Sequence, residues 1–242
     1  MEPRERVSIQ KIRQGTEKWT GRSVAEKLQV LNTGEQRELP EDRPSIVTFG
    51  EEVIVLVEEP GRIGRTEMFS LNHGVKIGSV TEGQKLKIGR DTDANIKFGN
   101  DQYGASVSRN HGSLERKNGK ITLTDSGMNM NCIAVAEIPE ISELELENNK
   151  RTLFSWGSKE GFKIIVGNLE AKILLTGPRS LIINTGGDVG SQVAVDLDDS
   201  GNAMFDIGKN TKTEGVRVRV RVIGLDVIQV KNLSGNPTKI SL

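Results

Sequence analysis

Side chains that could bind an anion are concentrated in one stretch of this chain, residues 86–135. Arg90 stands at the end of a short run in which apolar residues alternate with lysines, and Ser108 follows it eighteen positions later. A guanidinium stays charged at all relevant pH values and can donate two parallel hydrogen bonds to an anion. A serine hydroxyl adds a neutral donor. The stretch therefore predicts a local anion-binding site.

The polar clusters of this stretch all follow predicted strands. Leu86 and Ile88 alternate before Arg90, and Ile121 and Leu123 alternate before a turn that begins at Asp125. Loops at one edge of a β-sandwich place such residues in a shallow surface patch rather than in a deep cleft. This geometry favours recognition over catalysis.

The order of three motifs resembles the forkhead-associated (FHA) domain, a β-sandwich that binds phosphothreonine. The motifs are Gly89-Arg90, then Ser-x-x-His ending at His111, then a turn carrying Asn129 before an apolar residue. Each motif alone is common, but their order, spacing and strand context together are fairly specific. The resemblance covers about residues 66–176.

The resemblance implies a role for each residue of the first two motifs. Arg90 and Ser108 would bind the phosphate, and Arg109 would add a second positive charge on the same loop. Gly89 matches a position whose backbone must lack a Cβ atom. His111 matches a histidine that supports the loops by hydrogen bonds and does not touch the phosphate.

The third motif departs from the family pattern. Asn129 matches an asparagine whose amide binds the main chain of the ligand peptide. Met130 and Asn131 stand where the family usually has glycine and threonine. The alignment could therefore shift, which leaves Asn131 as the alternative residue for peptide docking.

Composition narrows the classes of partner. Lys+Arg and Asp+Glu balance at 33 each, so no global field attracts nucleic acid or an anionic membrane. Cys132 is the single cysteine, and no second histidine or cysteine stands near His73 at ligand spacing, so neither a metal nor a cofactor is predicted.

No apolar run is long enough to span a bilayer, and the charged N-terminal residues lack the apolar segment of a signal peptide. We expect no membrane insertion and a cytoplasmic location.

Fold class and domain limits follow from the distribution of strands and turns. An apolar content of 35% with 27 glycines is typical of a turn-rich all-β protein. Residues 1–65 are predicted to be an N-terminal extension with a short helix and strands, the alternative being a partly ordered leader. Residues 66–176 are predicted to form the FHA-like sandwich of antiparallel strands, closed by a hairpin at 161–175, and to fold alone.

Residues 177–242 are predicted to be a second FHA-like β unit that is degenerate or truncated. Thr185–Asp188 aligns with Ile88–Asp91, so Gly187 replaces the arginine, and 227–242 aligns with 120–135. No closing hairpin follows, so the second unit is expected to be incomplete. A rival interpretation of residues 196–207 as a calcium loop is weak, because position 12 is Ile207 instead of a bidentate glutamate.

The sequence leaves two functions open. The first is a non-enzymatic module that binds a phosphothreonine-containing protein, the product of a Ser/Thr kinase. The alternative is a phosphate-independent scaffold that uses FHA-like domains in a larger assembly such as secretion machinery. An enzyme is disfavoured, because the sequence shows no base, nucleophile or cofactor-binding pattern.

Overall fold

Alternating apolar residues build most of the chain into strands, and the prediction of an all-β sandwich protein is confirmed. The computed structural model divides the chain into two units, Met1–Ile138 and Pro139–Leu242. It describes residues 3–40, 43–58, 64–99, 101, 103–126, 133–140, 143–146, 150–155, 161–166, 169–177, 180–185, 191–196, 202–207, 216–223, 227–233 and 238–241.

In its described residues the first unit has two helices, one 3-10 turn and eleven strands. The helices are α1 (Pro3–Thr20) and α2 (Arg22–Glu26), and the 3-10 turn is Gly104–Ser106. The strands are β1 (Gln29–Val30), β2 (Gln36–Leu39), β3 (Ser45–Phe49), β4 (Glu52–Glu58), β5 (Arg65–Ser70), β6 (Val75–Thr81), β7 (Lys85–Gly89), β8 (Ile96–Lys97), β9 (Gly112–Lys117), β10 (Lys120–Asp125) and β11 (Ile133–Glu137).

These strands form two sheets that enclose one core. The six-stranded sheet has the order β1-β11-β3-β4-β5-β6, and the five-stranded sheet has the order β2-β10-β9-β7-β8. All pairs are antiparallel except β7 with β8. Because side chains alternate along a strand, each sheet directs every second residue into the core. The core includes Phe49, Ile54, Met68, Ile88, Leu114 and Leu123.

The N-terminal residues are an integral part of this unit. Strands β3 and β4 lie between β11 and β5, and nearly all of their residues are buried. Val24, Leu28 and Leu31 are all buried, so the alternative of a partly ordered leader does not describe them. Neither helix in the described part of the chain is long and apolar enough to cross a membrane.

The described part of the second unit contains ten strands in two sheets. The strands are β12 (Glu143–Leu146), β13 (Arg151–Ser155), β14 (Phe162–Val166), β15 (Leu169–Gly177), β16 (Ser180–Thr185), β17 (Ser191–Asp196), β18 (Asn202–Ile207), β19 (Val216–Ile223), β20 (Val227–Asn232) and β21 (Thr238–Ser241). The sheet orders are β12-β21-β14-β15-β16-β17 and β13-β20-β19-β18. Their core includes Phe154, Phe162, Ile173, Val220 and Val230.

The two units share one strand order. Each strand of the six-stranded sheet β1-β11-β3-β4-β5-β6 has a counterpart at the same position in β12-β21-β14-β15-β16-β17, and the counterparts follow one another along the chain in the same order. The strands of β2-β10-β9-β7 correspond in the same way to those of β13-β20-β19-β18. Among the described residues, β8 alone has no counterpart in the second unit. The strands β12–β15 thus hold the places that β1–β4 hold in the first unit.

This division differs from the domain limits predicted from the sequence, 1–65, 66–176 and 177–242. The hairpin at 161–175 pairs with β21 and β16 in the second unit, whereas β3 and β4 complete the first. The boundary lies at 138/139 rather than at 65/66 or 176/177. Strand pairing between residues far apart in sequence decides this outcome.

We expect residues 1–138, expressed alone, to unfold in one cooperative transition, because they contain both sheets and the whole core of the first unit. Residues 59–138 lack Phe49, Ile54 and the other core residues of β1–β4 and should give no cooperative transition. Urea denaturation followed by circular dichroism compares the two fragments. Equal cooperativity in both would contradict the assignment of β3 and β4 to this unit.

Candidate functional site

The site is built where the segment before β9 lies against the end of β7. The backbone N–H of Arg90 donates to the carbonyl of Ser108 at 3.1 Å, and the N–H of His111 donates to the carbonyl of Ile88 at 3.0 Å. These two bonds fix the 108–111 segment beside the end of the strand. They bring together Arg90 and Ser108, which are far apart in sequence.

Gly89 permits this close approach. A Cβ atom at this position would lie 2.0 Å from the carbonyl oxygen of Arg109 and 3.1 Å from that of Ser108. That carbonyl of Arg109 accepts a hydrogen bond from the N–H of Asp91 at 3.0 Å, so it is held in place. The φ angle of Gly89 lies outside the left-handed region, so the backbone conformation alone would allow another residue. Glycine is required here because there is no space for a Cβ atom.

The guanidinium of Arg90 is held in position by the backbone. Its Nε donates to the carbonyl oxygen of Val107, the residue before Ser108, and the side chain is half-buried. A guanidinium that is already held in position loses less conformational freedom when it binds an anion. The contact therefore preorganises Arg90 beside Ser108.

Ser108 joins the network through its backbone. Its N–H donates to Nδ1 of His111 at 3.0 Å. Its hydroxyl oxygen is enclosed, and no hydrogen-bond partner for it is found among the residues that the structure describes. A buried polar group without a partner costs about 1–3 kcal/mol. A bound anion that accepts from this hydroxyl after a small side-chain rotation would remove that cost.

His111 connects the segment that carries Ser108 with the segment that begins at Ser126. It is fully buried, and its ring packs edge-on against Phe49, with the ring centroids 5.6 Å apart. Because Nδ1 accepts from the N–H of Ser108, that nitrogen carries no proton in this arrangement. Its backbone carbonyl accepts from the N–H of Ser126, which begins the next loop. One buried histidine thus links two loops of the site.

Arg109 and the third motif complete the set of predicted residues. The side chain of Arg109 is exposed, so any charge that it adds to the site is screened by solvent. Asn129 and Asn131 lie outside the described residues. The ends of their loop are fixed, since Ser126 bonds to His111 and the N–H of Ile133 donates to Oδ2 of Asp125 at 3.4 Å.

The segment that leads to Val107 begins at Asp101. Its carboxylate accepts from the backbone N–H groups of Gly104 at 2.8 Å and of Tyr103 at 2.9 Å. The pKa of Asp101 is lowered, chiefly by the hydrogen bond from Gly104. Desolvation opposes this effect, and the hydrogen bond from Tyr103 adds to it. The charged carboxylate therefore stabilises the 3-10 turn before the site.

Sequence reasoning missed the backbone and core residues that hold the site. Val107 contributes only a carbonyl, Asp125 a buried carboxylate, and Phe49 a ring from the far N-terminal part of the unit. Every residue has a backbone carbonyl, so the residue type at position 107 does not show that its carbonyl has this role. A signal existed for Asp125, an acidic residue at the end of an alternating strand, where burial requires hydrogen-bond partners.

The strand order changes the predicted comparison with the second unit. Thr185 ends β16, which holds the place of β5, so its alignment with Ile88 is wrong. The strand in the place of β7 is β18, and Gly208 and Lys209, outside the described residues, follow it in the sequence. The alignment of 227–242 with 120–135 agrees with the strand order. Gly187 therefore gives no information about an anion site in the second unit.

The fold and the site together define a β-sandwich in which the segment that carries Ser108 and His111 lies against Arg90 at the end of β7. The model of the FHA domain family matches residues 86–155, which is under half of the chain. This match supports an FHA domain here, and domains of this family are in general phosphothreonine-dependent interaction modules and typically not enzymes. No curated protein matches the chain.

Gly89→Ala tests the close approach of the two backbone segments. The added Cβ would overlap the carbonyl of Arg109, so we expect a loss of about 1–3 kcal/mol in the free energy of unfolding. Gly99→Ala is the matched control, because the nearest atom to its Cβ would be 3.8 Å away, and its effect should stay within about 0.5 kcal/mol. Urea denaturation measures both. Equal effects would show that the approach at Gly89 is not a constraint.

Proposed function

We propose that the first unit binds phosphothreonine in a partner protein, by means of Arg90 and Ser108, and that it acts as a non-enzymatic, phosphorylation-dependent interaction module. The observation that carries this proposal is the hydrogen bond from Nε of Arg90 to the carbonyl of Val107. This bond holds the guanidinium at the carbonyl of the residue before Ser108, and the hydroxyl of Ser108 has no hydrogen-bond partner in the described part of the molecule.

The chemistry of the ligand follows from these groups. A phosphothreonine carries nearly two negative charges and three strong acceptor oxygens. Arg90 supplies charged donors and Ser108 a neutral one, and the exposed Arg109 adds a weaker attraction that is screened by solvent. Asn129, or Asn131 if the alignment shifts, is proposed to bind the peptide main chain. Such a partner would be the product of a Ser/Thr kinase, and binding needs no cofactor.

The competing hypothesis is a phosphate-independent scaffold. It would require no particular side chain at Arg90 or Ser108, and neither a preorganised guanidinium nor an enclosed hydroxyl would have a use. The presence and juxtaposition of both groups favour phosphate recognition. An oriented phosphothreonine peptide library, compared with its unphosphorylated form, separates the two. Equal binding of both forms would favour the scaffold.

Substitutions at the two phosphate-binding residues should differ in size. With a library-selected phosphopeptide, we expect Arg90→Ala to weaken binding by about 2–3 kcal/mol and Ser108→Ala by about 1–1.5 kcal/mol, since charged hydrogen bonds are stronger than neutral ones. Isothermal titration calorimetry measures both. Lys117→Ala, which removes an exposed charge at the other end of β9, is the control and should bind nearly as the parent does. If Arg90→Ala and Ser108→Ala also bind unchanged, the phosphate site is elsewhere.

Selectivity for threonine gives an independent test. The family resemblance implies a niche for the threonine γ-methyl group, so the phosphoserine form of the same peptide should bind more weakly by about 1–3 kcal/mol, the scale of one methyl group in a fitted apolar pocket. Competition between the two peptides for the full chain measures the difference. Equal affinities would mean that the site recognises the phosphate alone.

A further inference from the structure

Three side chains from separate parts of the first unit converge at one point. Nε2 of His73, in the turn after β5, lies 2.6 Å from Oε1 of Glu52, which begins β4. The same nitrogen lies 3.7 Å from Oδ2 of Asp101. The potential ligand atoms of the three residues all lie within 4.8 Å of one another. We refer to Glu52, His73 and Asp101 as the His73 cluster.

Both carboxylates are oriented by hydrogen bonds on the oxygen that faces away from the ring. Oε2 of Glu52 accepts from the hydroxyl of Ser70 at 3.3 Å. Oδ1 of Asp101 accepts from the backbone N–H groups of Tyr103 and Gly104. The remaining oxygens, Oε1 and Oδ2, are thereby directed towards His73. Outer hydrogen bonds of this kind are what fix the ligands of metal sites.

An ordinary ion pair accounts for only part of this arrangement. An imidazole nitrogen carries at most one proton, and the short contact with Glu52 uses it. Asp101 then faces the same nitrogen at a distance too long for a hydrogen bond. Glu52 is fully buried, and its Oε1 is directed at the ring of His73. A buried carboxylate with a second carboxylate nearby calls for a compensating positive charge.

We propose that the His73 cluster binds one divalent transition-metal ion of the zinc type. One imidazole nitrogen and two carboxylate oxygens are donors that Zn²⁺ accepts, at about 2.0–2.2 Å each. Tetrahedral ligands at that distance are about 3.3 Å apart, so shifts of less than about 1 Å would accommodate the ion. His73 and Asp101 are exposed enough for water to reach the fourth position.

The donor set separates zinc from the alkaline-earth ions. Ca²⁺ and Mg²⁺ prefer six or more oxygen ligands, and an imidazole is a poor substitute for one of them. The bound ion would join the start of β4, the turn after β5 and the segment that leads through the 3-10 turn to Val107. It would therefore fix that segment from outside the phosphate-binding residues, and its binding does not require the proposed function.

Zinc titration of the full chain by isothermal titration calorimetry tests this proposal. Cys132→Ser is the background, so that a thiol cannot bind the ion. We expect one zinc ion per chain, no comparable binding of Mg²⁺, and an affinity at least about tenfold lower in Asp101→Asn, since even outer-shell changes cost that much. The asparagine carbonyl can still accept from Tyr103 and Gly104, so this variant should keep the turn.

Two further variants make the result unambiguous. His73→Gln removes the imidazole and should also lower the affinity, and Glu51→Gln is the matched control, because Glu51 pairs with Lys11 beside the cluster. At one fixed zinc concentration, the thermal midpoint should rise more in the background chain and in Glu51→Gln than in His73→Gln or Asp101→Asn. Absence of zinc binding in the background chain, or equal binding in all variants, would overturn the proposal.

Discussion

The contact between the end of β7 and residues 108–111 is the constraint on which the site depends. Gly89 allows the carbonyl of Arg109 to lie where a Cβ atom would be, and Arg90 and His111 then bond to backbone groups across this contact. The site is therefore formed by backbone geometry first. Its charged side chain gains its position from the same segment, because the carbonyl of Val107 holds the guanidinium of Arg90.

The sequence predicts the local parts of this arrangement well. Alternation of Ile121 and Leu123 reports a strand with one face in the core, and both are buried. Ser-x-x-His can be recognised because its histidine bonds back to the serine only three residues away. Such short-range relations are visible as spacing. The enclosure of the Ser108 hydroxyl is a result of the folded environment, and no spacing predicts it.

Long-range convergence explains what could not be predicted from the sequence. The convergence of Glu52 and Asp101 on His73 is not visible as spacing, because the two carboxylates come from a strand and from a loop on either side of His73 in the sequence. Register brings them close: the pairing of Ile54 with Ser70 places the start of β4 against the turn that carries His73. The side chain of Asn72 contributes to the same junction by accepting from the N–H of Val53 at 2.7 Å.

The domain limits could not be predicted for a related reason. Along the chain the strands fall into four sets, β1–β4, β5–β11, β12–β15 and β16–β21. The first and third sets hold equivalent positions in their units. The family match at 86–155 runs from β7 through β13, so it joins the second set to the start of the third.

The domain predicted at 66–176 also combines β5–β11 with β12–β15. It therefore contains one strand for each position that is occupied in the two sheets of the first unit. In the folded molecule β1–β4 complete β5–β11, and β12–β15 complete β16–β21. Register settles the choice for β11, because Ile133 pairs with Phe49 and Ala136 with Ile46 in β3. Phe49 also packs against His111. The N-terminal set therefore supplies the two central strands of the sheet and the ring that packs against His111 beside the candidate site.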